Sequence, residues 1–330
     1  MKDKKNIILI AVLVVAAAAI AAVVVFSVRL NKQNQSGGDK MTEQSTEETT
    51  AAEPETTEPE TPEETTAGQE ALEPYEQEGT PYVIDENGQV LYGWYPYSLM
   101  EKGIKTLEAA EYDDNNTTVI DGTRYIRVQN GDGYDYYRFE MIKWNVISES
   151  GDAYTMLASS AVDCMPYNDA FAAASWEKSS LSAWLNGYFY DTAFSEEEKK
   201  GIVPTELGAN RNPIYNNVTG EYLKTNVYLL SAENLLDPAC GFDVYVQTDD
   251  TARMCAQTPY AQARGVYVYS DGYCKWWTRT NGVEASYAVF VNSNGVIGCD
   301  GIFVNSEGVG VRPAVRVSKT MVHRAETESK

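Results

Sequence analysis

The sequence predicts a mixed fold of strands and helices, held off a membrane by a disordered stalk. Three observations predict it. Residues 7–26 read IILIAVLVVAAAAIAAVVVF, twenty apolar residues without a charge. As a helix they span ~30 Å, the hydrocarbon thickness of a bilayer. Residues 33–80 are low-complexity and rich in Thr, Glu and Pro. The chain beyond them carries strand patterns at both ends and helical spacing in its middle.

The apolar run comes first. Lys2, Lys4 and Lys5 precede it, and Arg29 and Lys32 follow it, so the charge difference across it is small. The acidic stretch beyond it decides the orientation: residues 41–80 hold thirteen Glu and no Lys or Arg. We expect a cytoplasmic tail at 1–6 and a single-pass signal-anchor helix over 7–28. Everything after about residue 30 then lies outside the cell. Small-x-small sites fall within Ala16–Ala22, but the run exceeds the ~7–15 residues of a signal-peptide core, which favours an anchor over cleavage. No Cys stands directly after the run to carry a lipid.

Residues 29–80 read as a disordered linker, because they cannot bury enough apolar surface to offset the entropy of ordering. At ~3.1 Å per residue such a spacer reaches ~150 Å at full stretch. It suits a module held away from the membrane.

Charge bounds the partners. The chain carries −22, with +4 over residues 1–40 and −13 over 41–80, which leaves −13 for the remaining 250. An acidic ectodomain argues against nucleic acid, since phosphate neutralisation needs a basic face. Sugars, peptides, cations and basic proteins stay open. The 23 Tyr and six Trp suit strands and a core, and also suit stacking on sugar faces. The five cysteines, Cys164, Cys240, Cys255, Cys274 and Cys299, have no zinc-type spacing, and their pairing cannot be read from sequence. The single His323 sits in a polar tail, 320–330, so His-based triads and His-ligated metals are not expected.

Taken in order, PYVIDENGQVLYGWYP (81–96) reads as a hairpin turning at Asn87-Gly88. Residues 97–120 read as a short helix or an insertion. Thr123–Val128 and Tyr136–Ile147 read as strands joined by QNGDGYD, and 153–159 as another. Ser179–Tyr190 places Leu181, Trp184, Leu185 and Tyr188 on one helical face. Ser195 to Glu198 fits a capping box opening a second helix that ends near Gly201. Val227–Leu230 reads as a strand before a Ser231-capped turn. In GVGVRPAVRV, Val309, Val311, Val315 and Val317 share one face and Arg312 and Arg316 the other, the alternation of a half-buried strand.

Several motifs fail on inspection. NGDGYD has Val128 and Phe139 where an EF-hand needs ligands. The Asp113-Asp114-Asn115-Asn116 cluster reads as a solvated loop. Asn115, Asn116 and Asn217 open glycosylation sequons. No GxSxG or P-loop occurs, and nothing marks a pair of carboxylates for glycoside hydrolysis.

The ordered motifs carry a resemblance. Gly93-Trp94-Tyr95-Pro96, Tyr137 to Trp144 (YRFEMIKW) and Asp163-Cys164-Met165-Pro166-Tyr167-Asn168 occur in sequence. They are followed by Trp176-Glu177, Leu181, Trp184-Leu185-Asn186, Phe189-Tyr190, Thr192 to Ser195 and Thr258-Pro259-Tyr260-Ala261. The last 60 residues add Trp276-Trp277-Thr278-Arg279-Thr280, a strand ending at Val291-Asn292, and Gly308 to Val317. Together they resemble an uncharacterised family of bacterial surface domains with the pattern WWLRSPG, then VNxxG, then GVRPALRI. The match covers residues 92–318. The resemblance implies an α+β domain related to the C-type-lectin-like fold, in the branch of the formylglycine-generating enzymes. Such a domain has a short twisted antiparallel sheet, flanking helices and long loops, here over residues 81–319.

Two departures shape the function expected. The two closely spaced C-terminal cysteines of a formylglycine-generating oxidase are missing; Cys240 and Cys255 are the nearest pair. The EPN, QPD and WND motifs of calcium-dependent lectins are also missing, so calcium has no motif behind it and no cofactor is expected. The expectation is a non-catalytic, membrane-anchored binding module for a cell-wall or host glycan or a surface protein. The alternative is a structural or partner-binding envelope component. Its candidate ligand-binding residues are Trp276, Trp277, Arg279, Asn292 and Arg312. The two adjacent indoles face opposite sides of a strand, so one can be core and the other a stacking platform. The arginines either meet carboxylates or offer donors to a ligand.

Overall fold

The computed structural model describes Leu72 and residues 75–324. The expected cytoplasmic tail, membrane-spanning segment 7–28, most of the stalk and the last six residues lie outside the described residues. No helix among the described residues is long and apolar enough to cross a membrane.

The described chain is mostly strand with few helices, compatible with the α+β class. Strand β1 (Gln89–Leu99) leads to helix α1 (Ile104–Glu108), then β2 (Thr117–Ile120), β3 (Thr123–Asn130), β4 (Gly133–Ser150), β5 (Ala153–Ala158) and β6 (Asp163–Cys164). The helical middle holds α2 (Ser180–Trp184), a π-helical turn (Leu185–Phe189), α3 (Tyr190–Ala193) and α4 (Glu196–Gly201). Then come β7 (Val227–Tyr228), α5 (Pro259–Ala263), β8 (Trp276–Asn281), β9 (Tyr287–Val291), β10 (Ile297–Phe303), β11 (Gly310–Val311) and β12 (Ala314–Ser318).

Two main sheets form, where the resemblance implied one short antiparallel one. The first has seven strands in the order β7-β12-β5-β4-β3-β2, with β1 also on β4. Long β4 makes this possible: β3 and β5 share one edge of it, and β1 runs along the other. The second sheet runs β10-β9-β8-β11-β6 and includes one parallel pair, β8 with β11. The GVGVRPAVRV segment joins them: β11 pairs in one sheet and β12 in the other. Arg312-Pro313 lies at the crossing, and Pro313 has no N–H to extend a ladder. The expected single strand is therefore two. The four valines are buried as expected, but so is Arg312.

The 81–96 hairpin is also corrected. The turn is there: the Gly88 N–H donates to Asp85 O at 3.1 Å, and Gly88 takes φ 75°. But Val83–Ile84 pair with His323–Arg324, in parallel. Val322 beside that pair is fully buried, so the expected polar tail begins inside the fold. The stalk's end is docked as well. The Arg138 guanidinium lies 3.9 Å from the Tyr75 ring centre, and Gln77 Oε1 accepts the Met141 N–H at 3.2 Å.

The helical middle follows local rules. Ser179 caps α2 by accepting the Ser182 N–H at 3.1 Å, and Leu181, Leu185 and Phe189 turn fully inward. Ser195 and Glu198 form the capping box of α4. Glu198 is nonetheless 98 % buried. Its Oε2 accepts the Ser195 N–H and hydroxyl, both at 2.8 Å. Its Oε1 accepts the Gly93 N–H at 3.0 Å and the Tyr82 hydroxyl at 3.1 Å. Gly93 sits at φ 72° against the Phe194 ring, where a Cβ would stand 2.6 Å from a ring carbon. Only glycine brings its N–H to that carboxylate.

One core spans both sheets and the helices, with Trp144, Trp276, Trp277, Tyr92, Tyr167, Phe139 and Phe189 fully enclosed. A loop beside it is organised around Arg253, which has no exposed surface. Arg253 donates to the carbonyls of Leu235 (3.2 Å), Asp243 (3.3 Å), Tyr245 (2.9 Å) and Thr248 (3.0 Å), with Asp250 at 3.0 Å from Nε.

Candidate functional site

The five sequence candidates do not form one site. Strand β8 is buried on both faces, so neither indole offers a stacking platform. Trp276 Nε1 donates to Arg253 O at 2.9 Å, and the Arg312 guanidinium lies 5.0 Å from its ring centre. Trp277 Nε1 donates to Met165 O at 2.9 Å. Arg312 bonds the carbonyls of Ala158, Arg253 and Met254, and Arg279 that of Gly208. These arginines satisfy backbone carbonyls; among the described residues they pair with no carboxylate. Asn292 makes the β9–β10 turn, its carbonyl accepting the Gly295 N–H at 2.9 Å. Only Trp276 and Arg312 are brought into contact.

A different set of residues converges on a cavity of about 550 Å³, within the usual range for small-ligand sites. Its floor is Asp163 on β6, whose side chain is 3 % exposed. The second sheet places it there, because β6 is held by β11, and β11 by β8. Asp163 Oδ1 accepts the Cys164 N–H at 2.7 Å, and Oδ2 accepts the Tyr95 hydroxyl at 2.7 Å. Arg264, just after α5, donates Nε to Oδ1 at 3.4 Å. Its side chain stays 42 % exposed, and its Nη groups have no protein acceptor among the described residues.

The wall is aromatic. Trp184 and Tyr188 stand one turn apart with rings 27° from parallel and centres 6.3 Å apart. The π-helical turn at Leu185–Phe189 sets this register; such insertions often mark functional sites. Tyr260 closes the base against Tyr95 and Tyr137, edge-on at 5.9 and 5.5 Å. At the rim, Arg127 is fixed between the Tyr112 and Tyr134 rings, at 4.3 and 4.6 Å, and by Asn116 Oδ1 at 3.1 Å.

Electrostatics follow from burial. Enclosure raises the Asp163 carboxyl above its ordinary value, against the pull of Arg264 and the Tyr95 and Cys164 donors. Burial, then Asp163, holds the Tyr95 phenol well above its usual range. Tyr188 and Tyr260 shift upward for the same two reasons. Burial works against the charge on Arg264, but Asp163 outweighs it, so the guanidinium stays charged. Both carboxylate oxygens of Asp163 are occupied, which makes it the group that orients Arg264. What the pocket presents is a fixed cation beside an aromatic face.

Two further cavities are lined by charged groups, and in the first the buried Arg138 Nε has no hydrogen-bond partner among the described residues. One, of about 530 Å³, is lined by the stalk's end at Tyr75–Glu78 with the Arg138–Glu140 pair. The other, of about 660 Å³, holds Glu198 and Arg124, the latter bonded to Thr192 O at 2.8 Å.

Sequence reasoning missed the pocket as a site. Asp163, Trp184 and Tyr260 do fall in segments that carry the family resemblance. Trp184 and Tyr188 are legible in the sequence as i, i+4 neighbours on one helical face, which does not tell a pocket wall from core.

No curated protein and no solved structure matches the chain. A family described as a domain of unknown function (DUF6273) matches residues 152–319. That stretch holds both sheet-crossing strands, the helical middle, and the floor and aromatic wall of the pocket; Tyr95 and Arg127 lie ahead of it. Covering just over half of the chain, the match shows that the protein belongs to the DUF6273 family.

Proposed function

We propose that the protein is a membrane-anchored extracellular binding module, and that its ligand is a glycan carrying a carboxylate. One observation carries the reading: Arg264, bonded through Nε to buried Asp163 at 3.4 Å, lines the pocket with Trp184 and Tyr188, and its Nη groups have no protein acceptor among the described residues. A guanidinium held this way gives two parallel donors matched to a carboxylate. Near-parallel aromatic rings suit the apolar face of a sugar ring. Arg127 at the rim adds a second positive charge to a lining whose one carboxylate is Asp163, in a chain of net −22. The apolar run 7–26, the acidic stalk and the lectin-like relationship implied by the motifs support a place outside a bacterial membrane.

The test is binding of the full chain, in nanodiscs, to an array of cell-wall fragments and host glycans. Arg264→Gln and Tyr188→Ala variants, checked for folding, run beside it. Saturable binding to acidic glycans that falls at least tenfold in both variants supports the reading. Silence across the array, or binding indifferent to both changes, refutes it.

A second reading, a component that docks a surface protein, is favoured by one feature. Phe171 and Phe303 are 59 % and 47 % exposed and meet edge-on at 5.1 Å. Cross-linking on intact cells, with Phe171→Ser as control, separates it from the first.

A further inference from the structure

Two of the five thiols face each other. The Cys274 N–H donates to the Cys255 carbonyl at 2.9 Å. A bond of that kind puts the two Cα atoms about 5 Å apart, inside the span of a disulfide. Each thiol is close enough to shift the other's ionisation, both are buried, and the Cys255 thiol donates to the Ala256 carbonyl at 3.3 Å. Cys164 is also near Cys274, across Gly310, but each of the other three thiols has a partner of its own. Cys164 takes a backbone N–H from Gly308, Cys299 takes one from Ile214, and Cys240 Sγ lies 3.9 Å from Asp237 Oδ2. Gly310 leaves room for the pair, since a Cβ there would stand 3.3 Å from Cys274 Sγ and 2.7 Å from the Ala161 Cβ.

We propose that Cys255 and Cys274 form a disulfide in the mature protein, tying the loop that follows the Arg253 cage to the start of β8. The other three cysteines remain thiols. The oxidant is an external disulfide, either a small one such as oxidised glutathione or that of a disulfide oxidase. During folding, the Cys255 thiolate attacks one of its sulfurs. The external S–S bond breaks, one thiolate leaves, and a mixed disulfide forms. Cys274 then attacks the Cys255 sulfur and releases the second thiolate. Two protein thiols are oxidised to one disulfide, one external disulfide is reduced to two thiols, and the thiol protons pass to the leaving groups.

The test uses the full chain, reduced and unfolded, then refolded in detergent micelles with a glutathione redox buffer. Thiols are alkylated under denaturing conditions and mapped by mass spectrometry. The expected map shows alkylation at Cys164, Cys240 and Cys299 and a linked Cys255–Cys274 peptide. Five alkylated cysteines, or Cys255 or Cys274 joined to any other cysteine, overturns the proposal. Stability provides a second arm. A closed loop of about twenty residues predicts that dithiothreitol lowers the melting temperature of the parent by about 6–12 °C. It should leave a Cys255→Ala/Cys274→Ala variant unmoved; an equal response of the two overturns the proposal.

Discussion

Replacing Glu198 with alanine should be among the most damaging single changes in the domain, and its cost can be worked from the contacts. The carboxylate is 98 % buried and accepts four hydrogen bonds, with no ion pair to it among the described residues. In the variant the Gly93 N–H loses its acceptor inside the fold, which costs about 1–3 kcal/mol. The Tyr82 hydroxyl is half-buried and takes the low end of that range. Loss of the capping box at α4 adds about 1 kcal/mol. The total is about 3–5 kcal/mol, against a typical domain stability of about 5–15 kcal/mol. At about 2–4 °C per kcal/mol for a domain of this size, the melting temperature should fall by about 6–20 °C. Glu198→Gln keeps the shape but turns an NH₂ toward one pair of donors, so it should lose roughly half as much. Urea denaturation at unchanged m-value measures both. The capping link gives an internal control: Ser195→Ala should cost about 1 kcal/mol in the parent and somewhat less in Glu198→Ala, where only the backbone N–H of residue 198 still donates to Ser195 Oγ. If both Glu198 variants lose under about 1 kcal/mol, the reading of that carboxylate as a structural hub is wrong.

Other outcomes follow from the pocket. Because burial raises the Asp163 carboxyl, the folded chain keeps a proton over a pH window where the unfolded chain has lost it. The stability this group contributes is fully present below the unfolded value of about 3.9. It falls as pH rises from there through the folded value, then levels. Tyr95→Phe removes a donor to the charged form and widens that window, so its stability deficit should grow as pH rises from about 4. Urea midpoints between about pH 3 and 7 test the slope, and a deficit that shrinks with rising pH contradicts it. Tyr188→Ala, at 38 % exposure, should cost about 1 kcal/mol or less in stability while weakening glycan binding at least tenfold, read by melting and titration. Arg312→Lys should cost about 3–5 kcal/mol, because a lysine cannot reach the Ala158, Arg253 and Met254 carbonyls together; melting of the purified variant measures it.

What sequence makes legible here is what neighbouring residues decide among themselves. The Ser179 and Ser195 caps, the inward Leu181 and Leu185, and the turn at Gly88 all depend on residues within a few positions. The partner of Val83–Ile84 does not, since it lies some 240 positions away at His323–Arg324. The fate of Trp276 and Trp277 was hidden for a related reason. Alternation shows that two neighbours point to opposite faces, but a second layer over the other face is a tertiary fact. The pocket is the extreme case. Asp163, Trp184, Tyr188 and Arg264 come from three segments, and Arg264 is 101 positions from the carboxylate that orients it. No periodicity reports that meeting. Arg312 misled through its setting: on an alternating strand it reads as solvent-facing, yet the sheet change at Pro313 leaves carbonyls that only a long cation can reach.

The Arg253 cage has a consequence for where the domain can work. Oxygen-lined loops outside cells are commonly held by a divalent ion, and they slacken when that ion is diluted, chelated or exchanged. Here the positive charge is covalently part of the chain, surrounded by four carbonyls and Asp250. That charge within the 243–253 loop is not one that dilution, chelation or exchange can take away. Chelator and salt-free buffer leave the charge in place, whereas one altered codon removes it for good.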